Sequence, residues 1–210
     1  MHETLSYLDV CRMLEAAVTQ IRTHHERLSL LDAAVGDGDH GTTILRCMEA
    51  VTNAIQASNG TDLKSLLSTI AWNVMDSDGG STGPLLGSFF MGMSDALSPD
   101  TSDLDCPAAI AMFEGGILSV ATQSRAKVGD KTMMDAFLPA LEALQSAAPA
   151  GNIHSALQQA AQAAILGAES TKPLLAKFGR ARNLGPRVIG HIDPGAVSVS
   201  LLFKGFSEAL

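Results

Sequence analysis

Cysteine, tryptophan and tyrosine are nearly missing from this 210-residue chain, which has three, one and one of them. Cys11, Cys47 and Cys106 lie too far apart for a Cys-x-x-Cys metal or redox pair, and an odd, scattered set reads as reduced thiols. Basic residues are also scarce. Fourteen Lys and Arg against 22 Asp and Glu leave a formal charge of −8, which argues against a nucleic-acid binder or a protein held on anionic membranes. No run approaches the roughly 20 apolar residues of a membrane span. The opening Met1-His2-Glu3-Thr4 lacks the basic-then-apolar layout of a secretory leader. Hydrophobic residues make up 46% and charged ones 17%, enough apolar surface for a core, so general disorder is excluded. The expectation is a cytoplasmic globular protein with one domain over 1–210 and neither nucleic-acid nor membrane partners. Any phosphate it holds needs a local site to overcome the acidic field.

Aromatics reach only 4%, and Ala, Leu and Met dominate the apolar set, which favours helix over strand. Apolar residues recur at steps of three and four in eight stretches, each the mark of one buried helical face. The first is Tyr7, Val10, Leu14, Val18, Ile21; the second Ile44, Met48, Val51, Ile55; the third Leu63, Leu66, Leu67, Ile70, Val74. Leu86, Phe89, Phe90, Met93, Leu97 follow, then Ile110, Phe113, Ile117, Val120, then Met134, Phe137, Leu138, Leu141. The last two are Ile153, Leu157, Ala161, Ile165 and Val199, Leu202, Phe203, Phe206, Leu210. Trp72 and the methionines fall among these stripes and are expected in the core. Val197 to Leu201 alternates like a strand but has no partner strand, so it is assigned to the eighth helix.

The connections are of two kinds. Asn59–Asp62, Ser98–Pro107 and Pro149–Asn152 are ordinary turns with cap residues, joining helices two to three, four to five and six to seven. The other four are rich in glycine and charge: Asp32–Gly41, Asp76–Pro84, Lys127–Thr132 and Lys177–Gly195. Short connections make successive helices antiparallel, so alternate loops emerge at the same end. The fold expected is an all-α up-and-down bundle or barrel of eight antiparallel helices, with the four charged loops together at one end.

The first of these loops places Asp32, Asp37 and Asp39 within eight residues, among Gly36, Gly38 and Gly41. Two carboxylates ~4 Å apart repel by about 4 kcal/mol at an effective dielectric near 20, so such a group needs a shared proton or a cation. Hard oxygen donors with flexible glycines suit Mg²⁺ that takes its other ligands from phosphate; a solvated acidic turn is the plainer alternative. Gly36 to Gly41 also matches G-x-G-x-x-G, but that fingerprint needs a strand–turn–helix unit in a parallel sheet, and the chain is helical throughout. An EF-hand fails because the twelfth residue from Asp37 is Met48. Gly79, Gly80, Ser81 and Thr82 run into the fourth helix, where glycines admit a phosphate and the helix start offers N–H groups; a plain N-cap is the alternative. Lys131 in Gly129–Thr132 is read as solvated. Arg180 and Arg182 either clamp phosphate or stack on a purine, or else cap the seventh helix, and Asp193-Pro194 fits an N-cap and first turn. His2, His24, His25 and His154 are read as surface or helix residues without partners.

Taken together and in order, Gly-Asp-Gly-Asp-His-Gly, Gly-Gly-Ser-Thr-Gly-Pro-Leu, Gly-Asp-Lys-Thr-Met and Gly-His-Ile-Asp-Pro-Gly-Ala resemble the nucleotide-binding L subunit of dihydroxyacetone kinase over essentially the whole chain. The resemblance implies a barrel of eight antiparallel helices with ADP or ATP at one end. It implies that Asp32, Asp37 and Asp39 bind two Mg²⁺ ions bridging the phosphates. His40, Gly41, Thr42 and Thr43 would lie along phosphates and sugar, and Gly80, Ser81 and Thr82 would supply phosphate contacts. Ser124, Met133, Arg180, Asp193, Pro194 and Gly195 would complete the nucleotide site. Asp78 is not part of the family pattern, and its role is open.

The resemblance further implies phosphoryl transfer to dihydroxyacetone, or a related ketose or tetrose, held by a histidine of a separate K subunit. Two donors stay open: bound ADP recharged by a phosphohistidine protein of the sugar phosphotransferase system, or free ATP. A homodimer is compatible with either. Two alternatives come from other classes: a stand-alone metal-dependent phosphoesterase, and a non-catalytic nucleotide-binding regulatory subunit.

Overall fold

The computed structural model describes residues 4–58, 60–77 and 80–210. Among them are eight α-helices: α1 (Tyr7–Ala33), α2 (His40–Ala57), α3 (Leu63–Met75), α4 (Thr82–Asp95), α5 (Cys106–Ser124), α6 (Met134–Ala147), α7 (Ile153–Ser170) and α8 (Pro194–Glu208). The Val197–Leu201 stretch lies inside α8, as expected. Each helix packs on its neighbours in the chain, and α1 also packs against α8, which closes the ring.

The core is continuous around that ring. Leu14, Val18 and Ile21 of α1, Met48 and Val51 of α2, Leu67 and Ile70 of α3, and Phe89 and Phe90 of α4 are all buried, as are Phe113, Phe137 and Phe203. Phenylalanines make the centre of the contact: Phe89 stacks on Phe137 at 5.1 Å, and Phe113 meets Phe206 at 5.5 Å. All three cysteines are free and buried. Among the described residues no helix is long and apolar enough to cross a membrane.

Two core assignments are corrected. Trp72 is 63% exposed, because it sits two residues beyond Ile70 and so faces away from the Leu67–Ile70–Val74 stripe. Ile165 is 37% exposed, because steps of four from Ile153 drift around the helix; the buried face continues through Ala164, Gly167 and Ala168 instead.

The plain turns gather at the end of the ring where the chain starts. Leu5–Ser6 and Asp103–Leu104 form a two-residue antiparallel ladder that the sequence did not announce. Nearby, Leu63 N donates to the Thr101 carbonyl (2.7 Å) and Lys64 Nζ donates to the Ser94 and Leu97 carbonyls (3.0 and 2.9 Å). The charged loops are at the other end.

Candidate nucleotide and metal site

At that other end a cavity of about 700 Å³ opens, within the usual range for small-molecule sites. Its walls come from the end of α1 (Asp32), the starts of α2, α4 and α8 (His40, Thr82, Pro194), the end of α5 (Ser124) and the approach to α6 (Met133). All four glycine-rich loops therefore contribute, as the alternation of loop types requires. Gly80, Ser81, Arg180, Asp193 and Gly195 also line it.

Asp32, Asp37 and Asp39 each offer a carboxylate oxygen within 4.8 Å of the others. Asp32 can turn its carboxylate into this group because Gly36 has no side chain; a Cβ there would stand 2.5 Å from Asp32 Oδ1. Asp32 also receives the first N–H of α2, from His40 (3.3 Å). Asp37 and Asp39 are more exposed and share one cation, the guanidinium of Arg180, which pairs with Asp37 and stands 3.3 Å from Asp39. The cluster already draws one cation, the Arg180 guanidinium, from 141 residues along the chain. Three hard oxygen donors with an open face fit Mg²⁺, which leaves coordination positions to phosphate and water.

Helix capping divides the molecule. The four helices that start at the plain end are all capped by a side chain: Ser6 accepts from Asp9 N, Asp62 from Lys64 N and Ser65 N, Asp105 from Ala108 N, and Asn152 from Ser155 N. Of the four that start at the cavity, α2, α4 and α6 have Asp39, Ser81 and Met133 at the cap position, and none makes a side-chain cap bond. Only α8 is capped, by Asp193 on Ala196 N (2.8 Å). The first N–H of α2 goes to Asp32 and that of α6 to Thr132 Oγ1 (3.2 Å), so these starts direct their remaining N–H groups and the positive ends of their dipoles at the cavity, an arrangement suited to anionic phosphate.

His40 is buried at the cavity wall. Its Nε2 stands 2.7 Å from Ser198 Oγ, whose own proton goes to the Pro194 carbonyl (3.1 Å), so Nε2 carries the hydrogen and donates. Nδ1 is then the acceptor, with Thr82 Oγ1 at 3.5 Å. Burial lowers the His40 pKa, against the pull of Asp32 and Asp39, and keeps the ring neutral near pH 7. Asp193 shows the opposite effect: desolvation by the surrounding protein raises its pKa to about 7, opposed by the Ala196 N–H and by Lys131.

Several expectations need correction. Lys131 is not solvated but 2% exposed, its ammonium bonded to backbone carbonyls. Arg180 and Arg182 do not cap the seventh helix, which ends at Ser170; they lie in a 3₁₀ segment, Arg180–Val188. His24, His25 and His154 do have partners, bonding Gln20 O, Arg22 O and Gln158 respectively. Gly41, Thr42 and Thr43 follow His40 in the first turn of α2, behind the side chains that line the cavity. Gly41 is buried where α2 crosses α1, and a Cβ there would collide with the His25 carbonyl and Ser29; Thr43 is buried and Thr42 faces solvent. His2, Asp78 and Gly79 lie outside the described residues. Sequence reasoning missed Val35, Leu85, Ala126 and Phe178, which give the cavity its apolar part. They carry no motif, and only the closed ring brings them together.

The DAK2 domain profile matches residues 34–208. The chain belongs to the DAK2 domain family. It is 36% identical over 192 residues to the Listeria innocua PEP-dependent dihydroxyacetone kinase 2, ADP-binding subunit DhaL, covering 90% of this chain and 88% of that protein. It is 34% identical over 194 residues to the Lactococcus lactis PTS-dependent dihydroxyacetone kinase, ADP-binding subunit DhaL, covering 91% of each. The dihydroxyacetone kinase of C. freundii, solved with AMP-PNP and Mg²⁺, superposes with a TM-score of 0.73 at 27% identity. That superposition covers 96% of this chain and 34% of the larger one.

Proposed function

We propose that this DAK2-family chain is the nucleotide-binding subunit of a dihydroxyacetone-type kinase, acting as one unit over residues 1–210 in the cytoplasm. The observation that carries the proposal is the pairing of three clustered carboxylates with three helix starts whose cap residues make no side-chain cap bond, across one cavity. Carboxylates alone would repel phosphate, and helix starts alone would not need them. Both together suit a metal–phosphate complex.

Asp32, Asp37 and Asp39 would hold Mg²⁺, two ions in the full site, and bound magnesium would offset charge on the transferring phosphoryl group. The start of α4 at Gly80, Ser81 and Thr82 would bind phosphate oxygens through its N–H groups and hydroxyls. His40, neutral and fixed by Ser198, would present a lone pair without adding charge. Arg180, exposed at the rim, would move from Asp37 and Asp39 to the phosphates when metal takes its place beside the carboxylates. Met133, Ser124 and the Asp193–Gly195 turn would border the nucleotide, with Phe178 and Leu85 as apolar neighbours. The protein's part in transfer is to position the phosphoryl group for in-line attack by the acceptor.

The related chains are named as ADP-binding subunits, which implies a further subunit beside them. The substrate-bearing partner would therefore be a separate K-type subunit docking at the loop end. The PEP- and PTS-dependent names of the relatives favour bound ADP, recharged by a phosphohistidine protein, over free ATP.

The test is to denature purified protein and identify what is released. Tightly held ADP with magnesium supports the ADP-retaining carrier. An empty protein that binds Mg-ATP reversibly supports an ATP-exchanging subunit. An empty protein that binds neither nucleotide contradicts the proposal and favours the metal-dependent phosphoesterase.

A further inference from the structure

Lys131 lines the cavity, yet its ammonium is turned away from the open space. It donates to the Thr171 carbonyl (2.6 Å) and to the His191 carbonyl. Thr171 is the C-cap of α7, and His191 stands three residues before α8. Between these two points the chain leaves the ring for residues 172–190, carrying Phe178, Gly179 and Arg180 to the cavity. The two ends of this excursion also meet through Gly190 N on the Lys172 carbonyl (2.8 Å) and Asp193 N on Thr171 Oγ1 (2.9 Å). One buried cation thus joins both ends of the segment that supplies Arg180.

The surroundings of Lys131 are built for this. Its backbone is left-handed at φ 59°, uncommon for a residue with a side chain. The Asp135 carboxylate holds the loop in that shape by accepting from Gly129 N (2.6 Å) and Thr132 N (2.7 Å). A buried ammonium is costly unless it is fully hydrogen-bonded and paired, so two carbonyls and nearby Asp193 and Asp135 are what permit it there. The neighbouring Asp130 binds the same excursion further along, through Lys177 Nζ (2.6 Å).

We propose that Lys131 is a positioning residue: it fixes the 172–190 segment, and through it Arg180, against the carboxylate cluster, and does not touch phosphate itself. This rests on the reading of the cavity as a Mg-nucleotide site. A phosphate ligand and a positioning residue both lower nucleotide affinity when lost, but only the second depends on Arg180.

The experiment measures Mg-ADP affinity by calorimetry in wild type, Lys131→Met, Arg180→Ala and the double variant. Lys131→Met is expected to weaken binding about tenfold in the wild-type background and less than about twofold once Arg180 is gone. An equal loss in both backgrounds overturns the proposal. A second readout needs no nucleotide: trypsin cleavage after Arg180 and Arg182, well below the melting temperature. Cleavage is expected to be at least about fivefold faster in Lys131→Met; an unchanged rate overturns the proposal. If wild type binds no Mg-ADP, the nucleotide reading fails while the trypsin rates still decide the role of Lys131. If Lys131→Met does not fold, Thr171→Val, which removes the Asp193 link at the same joint, replaces it in both measurements with the same expected directions.

Discussion

His40 Nε2 and Ser198 Oγ are 2.7 Å apart, a buried hydrogen bond between the first residue of α2 and the second turn of α8. It fixes which nitrogen of His40 carries the hydrogen and which faces Thr82. Ser198→Ala removes this hydrogen bond and leaves the Pro194 carbonyl as the remaining acceptor beside the ring, and losing a buried hydrogen bond costs about 0.5–1.5 kcal/mol. The expected outcome is a lower urea midpoint together with weaker Mg-nucleotide binding. Unchanged binding despite lost stability would remove His40 from the site.

The capping pattern separates stability from binding. Asp62→Ala removes a side-chain cap at the plain end and is expected to cost about 1 kcal/mol with nucleotide affinity unchanged. Ser81→Ala removes no cap bond, so its stability should stay within about 0.5 kcal/mol of wild type while affinity falls. Thermal melts and titrations of both variants check the contrast. The reverse pattern would make Ser81 a structural cap.

Asp193 makes stability depend on pH. Its pKa is raised to about 7 in the folded protein from the usual 3.8. The native state therefore holds a proton that the unfolded chain has lost, and stability falls as pH rises through this window. The full effect is at most about 4 kcal/mol, present below pH ~4 and lost above pH ~7. Asp193→Asn keeps an acceptor for Ala196 N and removes the titration. In metal-free protein, the variant should gain stability relative to wild type between pH 4.5 and 8 by urea denaturation. A constant difference would contradict the assignment.

Gly41→Ala tests the placement of that residue. A methyl group there meets the His25 carbonyl and Ser29 backbone, which belong to the rigid interior of α1. Overpacking of this kind costs about 1–3 kcal/mol. The melting temperature should drop, while a binding defect without a stability defect would return Gly41 to the phosphates.

How much of this could be read in the sequence follows from what each signal depends on. The helices and the convergence of the charged loops were legible, because apolar period and loop alternation are local facts that an antiparallel ring simply adds up. Asp32, Asp37 and Asp39 were legible because crowded charge in a short loop has few explanations. Lys131 was misread, since its two carbonyl partners lie 40 and 60 residues away and nothing local marks them. Gly41 carries a further reason that no motif shows: close packing on α1, which only the helix crossing reveals. The apolar wall of Val35, Leu85 and Phe178 had no local signal at all. The Leu5–Leu104 pairing is too short for any alternation to show.

The central claim is that the acidic loop binds nucleotide through metal. Its most direct measurement is Mg-ADP titration into wild type and Asp37→Ala, with circular dichroism on both and a parallel titration in EDTA. The account predicts binding by wild type only with Mg²⁺, no measurable binding by Asp37→Ala, and the same helical signal from both proteins. Equal binding by the variant, or binding in EDTA as tight as with Mg²⁺, would contradict it. Loss of the helical signal in Asp37→Ala would show the loop to be structural and contradict it as well.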